Sequence, residues 1–269
     1  MHTHYSDGDL SPSDVVQLAH RAGLSLVAIT DHDHTGGIEE ARKAGVQVGV
    51  EVVSGVELST TLDGREIHIL GLLFDHTHRG LTEYLEYLRS ERLKRAERIV
   101  ERLNRLQVPL TMEEVLAQAG TAAVGRPHIA TVLVNRGFVG SYQQAFARYL
   151  RNGGPAWEGK HGITPLETAR LISSAGGVSF VAHPGDTLDE PILDRLITEG
   201  VDGIEVVHPS HSPERVTRFK TLAQTRRLPR CGGSDFHGGG RNDSGAVGKY
   251  FVSLHDVETI RSYRSNSRG

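Results

Sequence analysis

Short apolar runs that end abruptly in polar residues alternate along this chain with amphipathic helical stretches. Leu24–Thr30 is aliphatic and β-branched and reads as a buried strand. It breaks into Asp31, His32, Asp33 and His34, then Thr35, Gly36 and Gly37. Ser11 and Pro12 predict a helix start, Val15, Leu18, Ala19 and Ala22 its apolar face, and Gly23 its end. Ile38–Ala44 predicts a short helix stopped by Gly45, and the alternating Val46, Val48, Val50 and Val52 predict a strand leading to Glu57. Residues 65–74 predict another strand, with His68 between Ile67 and Ile69; there it is either a hydrogen-bonded core residue or a ligand. Met1–Tyr5 is expected to be extended, so that His2 and His4, at i and i+2, share one face.

The texture changes over residues 79–155. Leu81, Leu85, Leu88, Ala96, Ile99, Val100 and Leu103 mark a long amphipathic helix whose charges read as a solvated face. Thr111 and Glu114 form a capping box for a second helix, and two more follow without a strand pattern. From Thr164 the alternation returns, with strands leading to His183, to Glu205, His208 and His211, and to Asp235 and His237. An edge strand over Gly248–Ser253 and a helix from about Asp256 complete the pattern. About seven βα units interrupted once predict an α/β fold, a distorted seven-stranded TIM-like barrel formed by residues 1–78 and 156–269, with 79–155 as an inserted helical cap.

Composition narrows the function. Histidine is in excess, 15 among 269 residues. Acids and imidazoles at the ends of apolar strands are costly to desolvate without a partner, and a divalent cation suits both. In parallel barrels chemistry gathers at the carboxyl ends of strands, where His4, Asp31, His32, Glu57, His183, His208, Asp235 and His237 are all expected. A single cysteine, Cys231, excludes an intramolecular disulfide framework and suits a reducing cytoplasm. The start of the chain lacks the pattern of a signal peptide, and no apolar run reaches membrane-spanning length. The net charge of −3 divides unevenly: residues 79–155 carry 12 Lys+Arg against seven Asp+Glu, leaving −8 on the remainder. A basic cap beside an acidic body suits an anionic substrate.

The series HxH, SDG, TDHD, GVE, an embedded histidine, RPH, AHP and GSDFH resembles the PHP (polymerase and histidinol phosphatase) superfamily along essentially the whole chain. Within it the chain is most similar to the branch acting on nucleoside 3′,5′-bisphosphates and short RNA. The resemblance implies two or three divalent ions in a distorted seven-stranded barrel. His2, His4, Glu57 and Asp235 would hold the first, with Glu57 bridging to a second held by His68 and His183. Asp7, His32 and His237 would hold a third, and Arg126 and His128 would face the substrate phosphate. Family members have several residues before HxH; here Met1 directly precedes His2, so the first strand is expected to be short or to begin upstream. Asp31 and Asp33 could orient imidazoles as acceptors, and the resemblance does not make them ligands.

Such a site hydrolyses phosphate esters with a metal-activated water, while Arg126 grips the phosphoryl oxygens and His128, His208 or His211 protonates the leaving oxygen. Mixed ligation admits manganese, the first expectation, and iron or zinc. Histidinol phosphate is the alternative substrate. An amidohydrolase-type site, bridged by a carboxylated lysine, and a non-enzymatic accessory module are the competing classes. None of the five lysines falls convincingly at a strand end. No obligate protein partner is expected.

Overall fold

The computed structural model describes residues 1–159, 162–185, 188–238, 243 and 245–266. Six strands form one sheet in the order β1 (Leu26–Ile29), β2 (Glu51–Leu62), β3 (Arg65–Leu72), β4 (Val178–Val181), β5 (Gly203–Val207) and β6 (Arg230–Gly232). The pairs β1–β2, β4–β5 and β5–β6 are parallel, whereas β2–β3 and β3–β4 are antiparallel. The sheet is therefore mixed, with six strands among the described residues where seven were expected. One cause is the two-residue turn at Asp63 and Gly64, which folds β3 straight back on β2 in place of a helical crossover. The other is Met1–Tyr5, which is not a strand. The Met1 carbonyl accepts from Thr30 N at 2.9 Å and His2 N donates to the Phe236 carbonyl at 2.8 Å, so these two residues touch both edges of the sheet. The chain then turns, with Ser6 N and Gly8 N both donating to the Thr3 carbonyl. Gly8 packs on that backbone: a Cβ there would lie 2.6 Å from the His2 carbonyl.

Helices α1 (Pro12–Arg21) and α2 (Ile38–Val48) cover β1 and β2. Helix α2 absorbs Val46 and Val48, expected in a strand, and ends at Gly49, whose φ of 75° suits a residue lacking Cβ. Val46 is 86% exposed, so its alternation with Val48 recorded no buried face. Helices α7 (Pro165–Ser174), α8 (Glu190–Glu199) and α9 (Pro213–Arg226) pack on β3–β5. The expected edge strand at Gly248–Ser253 has no sheet partner among the described residues; Ser253 instead caps α10 (Leu254–Asn266) with Asp256, and Phe251 is exposed.

Helix α3 (Arg79–Arg105) is 27 residues long, about 40 Å at 1.5 Å per residue. Its first half places Leu81, Leu85 and Leu88 in the core beneath the sheet. Its second half places Ala96, Ile99, Val100 and Leu103 in a separate core. That second core is shared with α4 (Met112–Ala119), α5 (Arg126–Asn135), α6 (Tyr142–Ala145) and a π-helical turn at Phe146–Leu150. Between the two apolar segments the same face carries Arg92 and Arg95.

Candidate metal centre

Register delivers the central groups. The parallel pairing of β1 with β2 continues beyond Ile29 opposite Ser54 to a bridge between His32 and Glu57. Asp33 N donates to the Glu57 carbonyl and Glu57 N to the Asp31 carbonyl. Ser59 lies opposite His68 across β2–β3, so Glu57, two residues from Ser59, shares a face with His68 and with Glu66. Glu57 thus stands within a 12-residue strand rather than at a strand end. Three residues of the site region, Asp33, His183 and Asp235, have φ of 51°, 27° and 47°. Side chains there stand in a sparsely populated backbone region, which functional sites tolerate when surrounding bonds hold them.

The Glu57 carboxylate is the hub, with its side chain 3% exposed. Its Oε2 lies 3.1 Å from His2 Nε2, which is also 3.1 Å from Asp235 Oδ1. Its Oε1 lies 2.5 Å from His68 Nδ1 and 3.0 Å from His183 Nε2. One oxygen therefore faces His2 and Asp235, and the other faces two further imidazoles. A third group gathers beside them: Asp7 Oδ1 is 3.5 Å from His237 Nε2, 3.8 Å from His2 Nδ1 and 4.0 Å from His32 Nε2. The His2 and His237 rings stack at 4.1 Å.

Charge here is compensated by protons. Burial would lower the pKa of His2, but hydrogen bonds to Asp235 and Glu57 outweigh it and raise the value to about 10. Burial likewise opposes His183, and Glu57 raises it to about 9. At His32 burial wins over the attraction of Glu57 and Asp7, and its pKa falls to about 3. Burial works against ionisation of Glu57 and Asp235 too, yet the surrounding imidazoles hold both well below the usual carboxylate range.

Those are the properties of a cation site. His32 Nδ1 is buried without a hydrogen-bond partner. Three sets of imidazole and carboxylate atoms, His2–Asp7–His32–His237, His32–Glu57–His68 and His2–Glu57–Asp235, each lie within 4.8 Å of one another. Imidazole with carboxylate is a donor set that suits divalent transition metals, so the residues present fit the metal ions that the fold implies.

Other expected positions fall elsewhere. His4 is exposed and stacks on Tyr5 at 4.9 Å, away from the three groups. The i, i+2 rule failed there because Met1–Tyr5 is not a strand and the chain turns after Thr3. Asp31 accepts from Thr3 N, Thr3 Oγ1 and Ser6 Oγ, and so ties down the loop carrying Asp7. Asp33 accepts from Ser59 N and pairs with Arg92 at 2.5 Å. These bonds come from backbone, hydroxyl and guanidinium donors. His128 is buried between two backbone partners, its Nδ1 accepting from Gly125 N and its Nε2 lying 3.0 Å from the Ser6 carbonyl. His211 is similarly bound to Gly185 N and the Val206 carbonyl. His208 accepts on Nδ1 from Ser210 N, which leaves its proton on Nε2, 3.4 Å from Asp235 Oδ2.

Sequence reasoning passed over Glu66, Arg92 and Arg95. Glu66 Oε1 lies 2.9 Å from His68 Nε2 and its Oε2 lies 3.3 Å from Arg126 Nη2. Arg126 also donates to the Leu150 carbonyl and to Asn152. An arginine thereby steadies a carboxylate that orients an imidazole facing Glu57. The signal for Glu66 was its i, i+2 relation to His68 on a strand. A cleft of about 200 Å³ joins the two parts, with Asp7, His32, Glu66 and His68 on one wall and Arg92, Arg95 and Arg126 on the other. Among the described residues no lysine lines it.

Comparison with known proteins identifies the family. The PHP domain matches residues 1–150. A 5′-3′ exoribonuclease of Haemophilus influenzae is 37% identical over 88% of this chain and 88% of its own length. A 3′,5′-nucleoside bisphosphate phosphatase of Chromobacterium violaceum is 32% identical over 89% of this chain and 86% of its own. A crystal structure from Bifidobacterium adolescentis, assigned as a metal-dependent phosphoesterase, superposes with a TM-score of 0.89 at 33% identity, covering 96% of this chain and 93% of that one. The chain belongs to the PHP family of metal-dependent phosphoesterases. Among the described residues no helix is long and apolar enough to cross a membrane.

Proposed function

We propose that this enzyme hydrolyses nucleoside 3′,5′-bisphosphates or the 5′-phosphorylated end of short RNA, using two or three divalent ions, manganese first among them. The observation that carries the reading is Glu57, whose two oxygens face two different sets of ligating atoms, one of which includes His68, a residue that lines the cleft together with Arg92, Arg95 and Arg126. His2, Glu57 and Asp235 would hold one ion, Glu57, His68 and His183 a second, and Asp7, His32 and His237 a third. Ions held there would supply an activated water and neutralise phosphoryl charge.

The chain's own residues do the rest. Glu66 fixes the His68 ring, and Arg126 fixes Glu66. His208 is the proton donor to the leaving oxygen, because His128 and His211 have both nitrogens engaged by backbone groups. Residues 79–155 act as a cap that brings cationic side chains over the strand-borne groups. Met1 and His2, bonded to both sheet edges, support a closed, barrel-like arrangement with a seventh position. The cleft volume of about 200 Å³ is below the roughly 300–1,000 Å³ of sites that engulf a whole ligand. It suits a phosphorylated end, with the base or the remaining chain outside. A buried, unpaired Cys231 is consistent with a reducing cytoplasm.

The test is a panel of phosphate esters assayed with manganese, iron and zinc after chelation. The kcat/KM for a 3′,5′-bisphosphate should exceed that for the matching monophosphates by at least about tenfold, as expected for one added charge-assisted contact. Equal rates, or a preference for histidinol phosphate, would overturn the nucleotide assignment.

A further inference from the structure

The inward stripe of α3 runs Leu81, Leu85, Leu88, Arg92, Arg95, Ile99, Leu103, at spacings of three and four residues. Two arginines thus occupy positions that the helix elsewhere reserves for core residues. Arg92 is matched by Asp33, and Arg126 by Glu66. Arg95 has no such match. It is 6% exposed, its Nε donates to the Glu158 carbonyl at 2.9 Å, and its Nη2 is buried without a hydrogen-bond partner. The Glu158 carboxylate is turned away, held by Arg98 at 3.0 Å and Arg102 at 2.6 Å. Burial lowers the Arg95 pKa to about 10, Glu66 opposing the fall and Arg126 and Arg92 adding to it, so the group is still cationic at neutral pH. A buried guanidinium with an open donor is unfavourable unless an anion arrives, and this one lines the cleft containing Asp7, His32 and His68.

We propose that Arg95, flanked by Arg92 and Arg126, forms an anion subsite that holds the second, non-reacting phosphate of a doubly phosphorylated substrate. The proposal rests on the phosphoesterase assignment above and names the group that discriminates among its substrates. The reacting phosphate belongs beside the Glu57 hub, where Asp7, His32 and His68 form the strand-borne wall. Arg95 stands on the opposite wall, where a phosphate one sugar away can accept its Nη2 proton. Its guanidinium geometry suits paired phosphate oxygens, and lysine would reproduce the charge without the fork.

Manganese-loaded wild-type, R95Q and R95K proteins, matched for metal content, are assayed on adenosine 3′,5′-bisphosphate and adenosine 3′-monophosphate. The ratio of the two kcat/KM values should fall about ten- to a hundredfold in R95Q, with R95K intermediate. Equilibrium dialysis with labelled inorganic phosphate reads the subsite without turnover: two phosphates per chain for wild type and one for R95Q. A wild type that does not prefer the bisphosphate defeats the substrate assignment, while the dialysis result still decides the subsite. An unchanged ratio together with unchanged phosphate stoichiometry overturns the role of Arg95.

Discussion

The two walls of the cleft solve opposite electrostatic problems. Behind the strand-borne wall, acids and imidazoles crowd around Glu57 within hydrogen-bonding distance, and His2 and His183 carry raised pKa values of about 10 and 9. Protons there balance negative charge that cations would balance better. On the helix-borne wall, Arg92 and Arg126 are matched by carboxylates, and Arg95 contributes a cation with an open donor. The first wall is short of positive charge and the second of negative charge. On the function proposed above, metal ions would complete one and a phosphate the other, so a phosphate between metals and arginines would satisfy both. The difference also shows how each wall is made rigid. Strand register places the ligands, whereas a helix spanning two cores places the arginines.

Removing the hub should break the contrast most severely. Glu57→Gln keeps the shape and loses the charge that faces both ligand sets, so kcat/KM should fall roughly a thousandfold or more with loss of metal. Elemental analysis beside circular dichroism checks this; a folded variant with full metal and near-normal turnover would remove Glu57 from the centre. Glu66→Gln tests the link between the walls. A carboxylate orienting a ligating imidazole typically contributes 10- to 100-fold in metal affinity or activity, and the expected loss in metal affinity lies in that range. An unchanged manganese titration would show that His68 needs no such support.

Arg92→Met isolates the helical wall. It leaves Asp33, 1% exposed, without its cation, and breaking a buried pair from one side costs about 3–5 kcal/mol. Thermal unfolding should show a Tm lower by roughly 6–20 °C at this chain length, while metal content stays near wild type. Loss of metal with an unchanged Tm would reverse the division of labour between the walls.

A smaller effect is expected in metal-stripped protein as pH changes. His2 and His183 have folded pKa values above 6.5, so the stability they confer is complete below pH 6.5. It is lost as pH rises through about 9 and 10. His32, lowered to about 3, works in the other direction and costs stability as pH falls below 6.5. Stripped protein should therefore lose Tm between pH 7 and 10, and metal-loaded protein should lose less, since cations replace those protons. Parallel profiles would show that the imidazole protons do not occupy the cation positions.

Much of the strand-borne wall was legible because strands advertise themselves. A run such as Leu24–Thr30 breaking into Asp31–His34 shows where a sheet ends and which polar groups lie there, and the resemblance supplied their partners. His4 misled because the i, i+2 rule needs a strand, and Met1–Tyr5 forms none before the chain turns after Thr3. Val46 and Val48 misled for a related reason: alternating valines fit an exposed last helical turn as well as a strand, and Gly49 decides between them. The helical wall was harder to see. Arg92 and Arg95 look like surface charge when counted by composition, and show themselves only when the α3 stripe is followed at three- and four-residue spacing. His128 was expected to face the substrate phosphate; its two nitrogens fasten the start of α5 to the loop carrying Asp7.

Metal occupancy at Glu57 and phosphoester turnover should rise together. Chelated protein is titrated with manganese while bound metal and hydrolysis of adenosine 3′,5′-bisphosphate are followed on the same samples. Turnover should be absent from stripped protein, stay low through the first equivalent and reach its plateau only after at least two. Full activity in metal-free protein, or a plateau at a single equivalent, would contradict a centre bridged by Glu57.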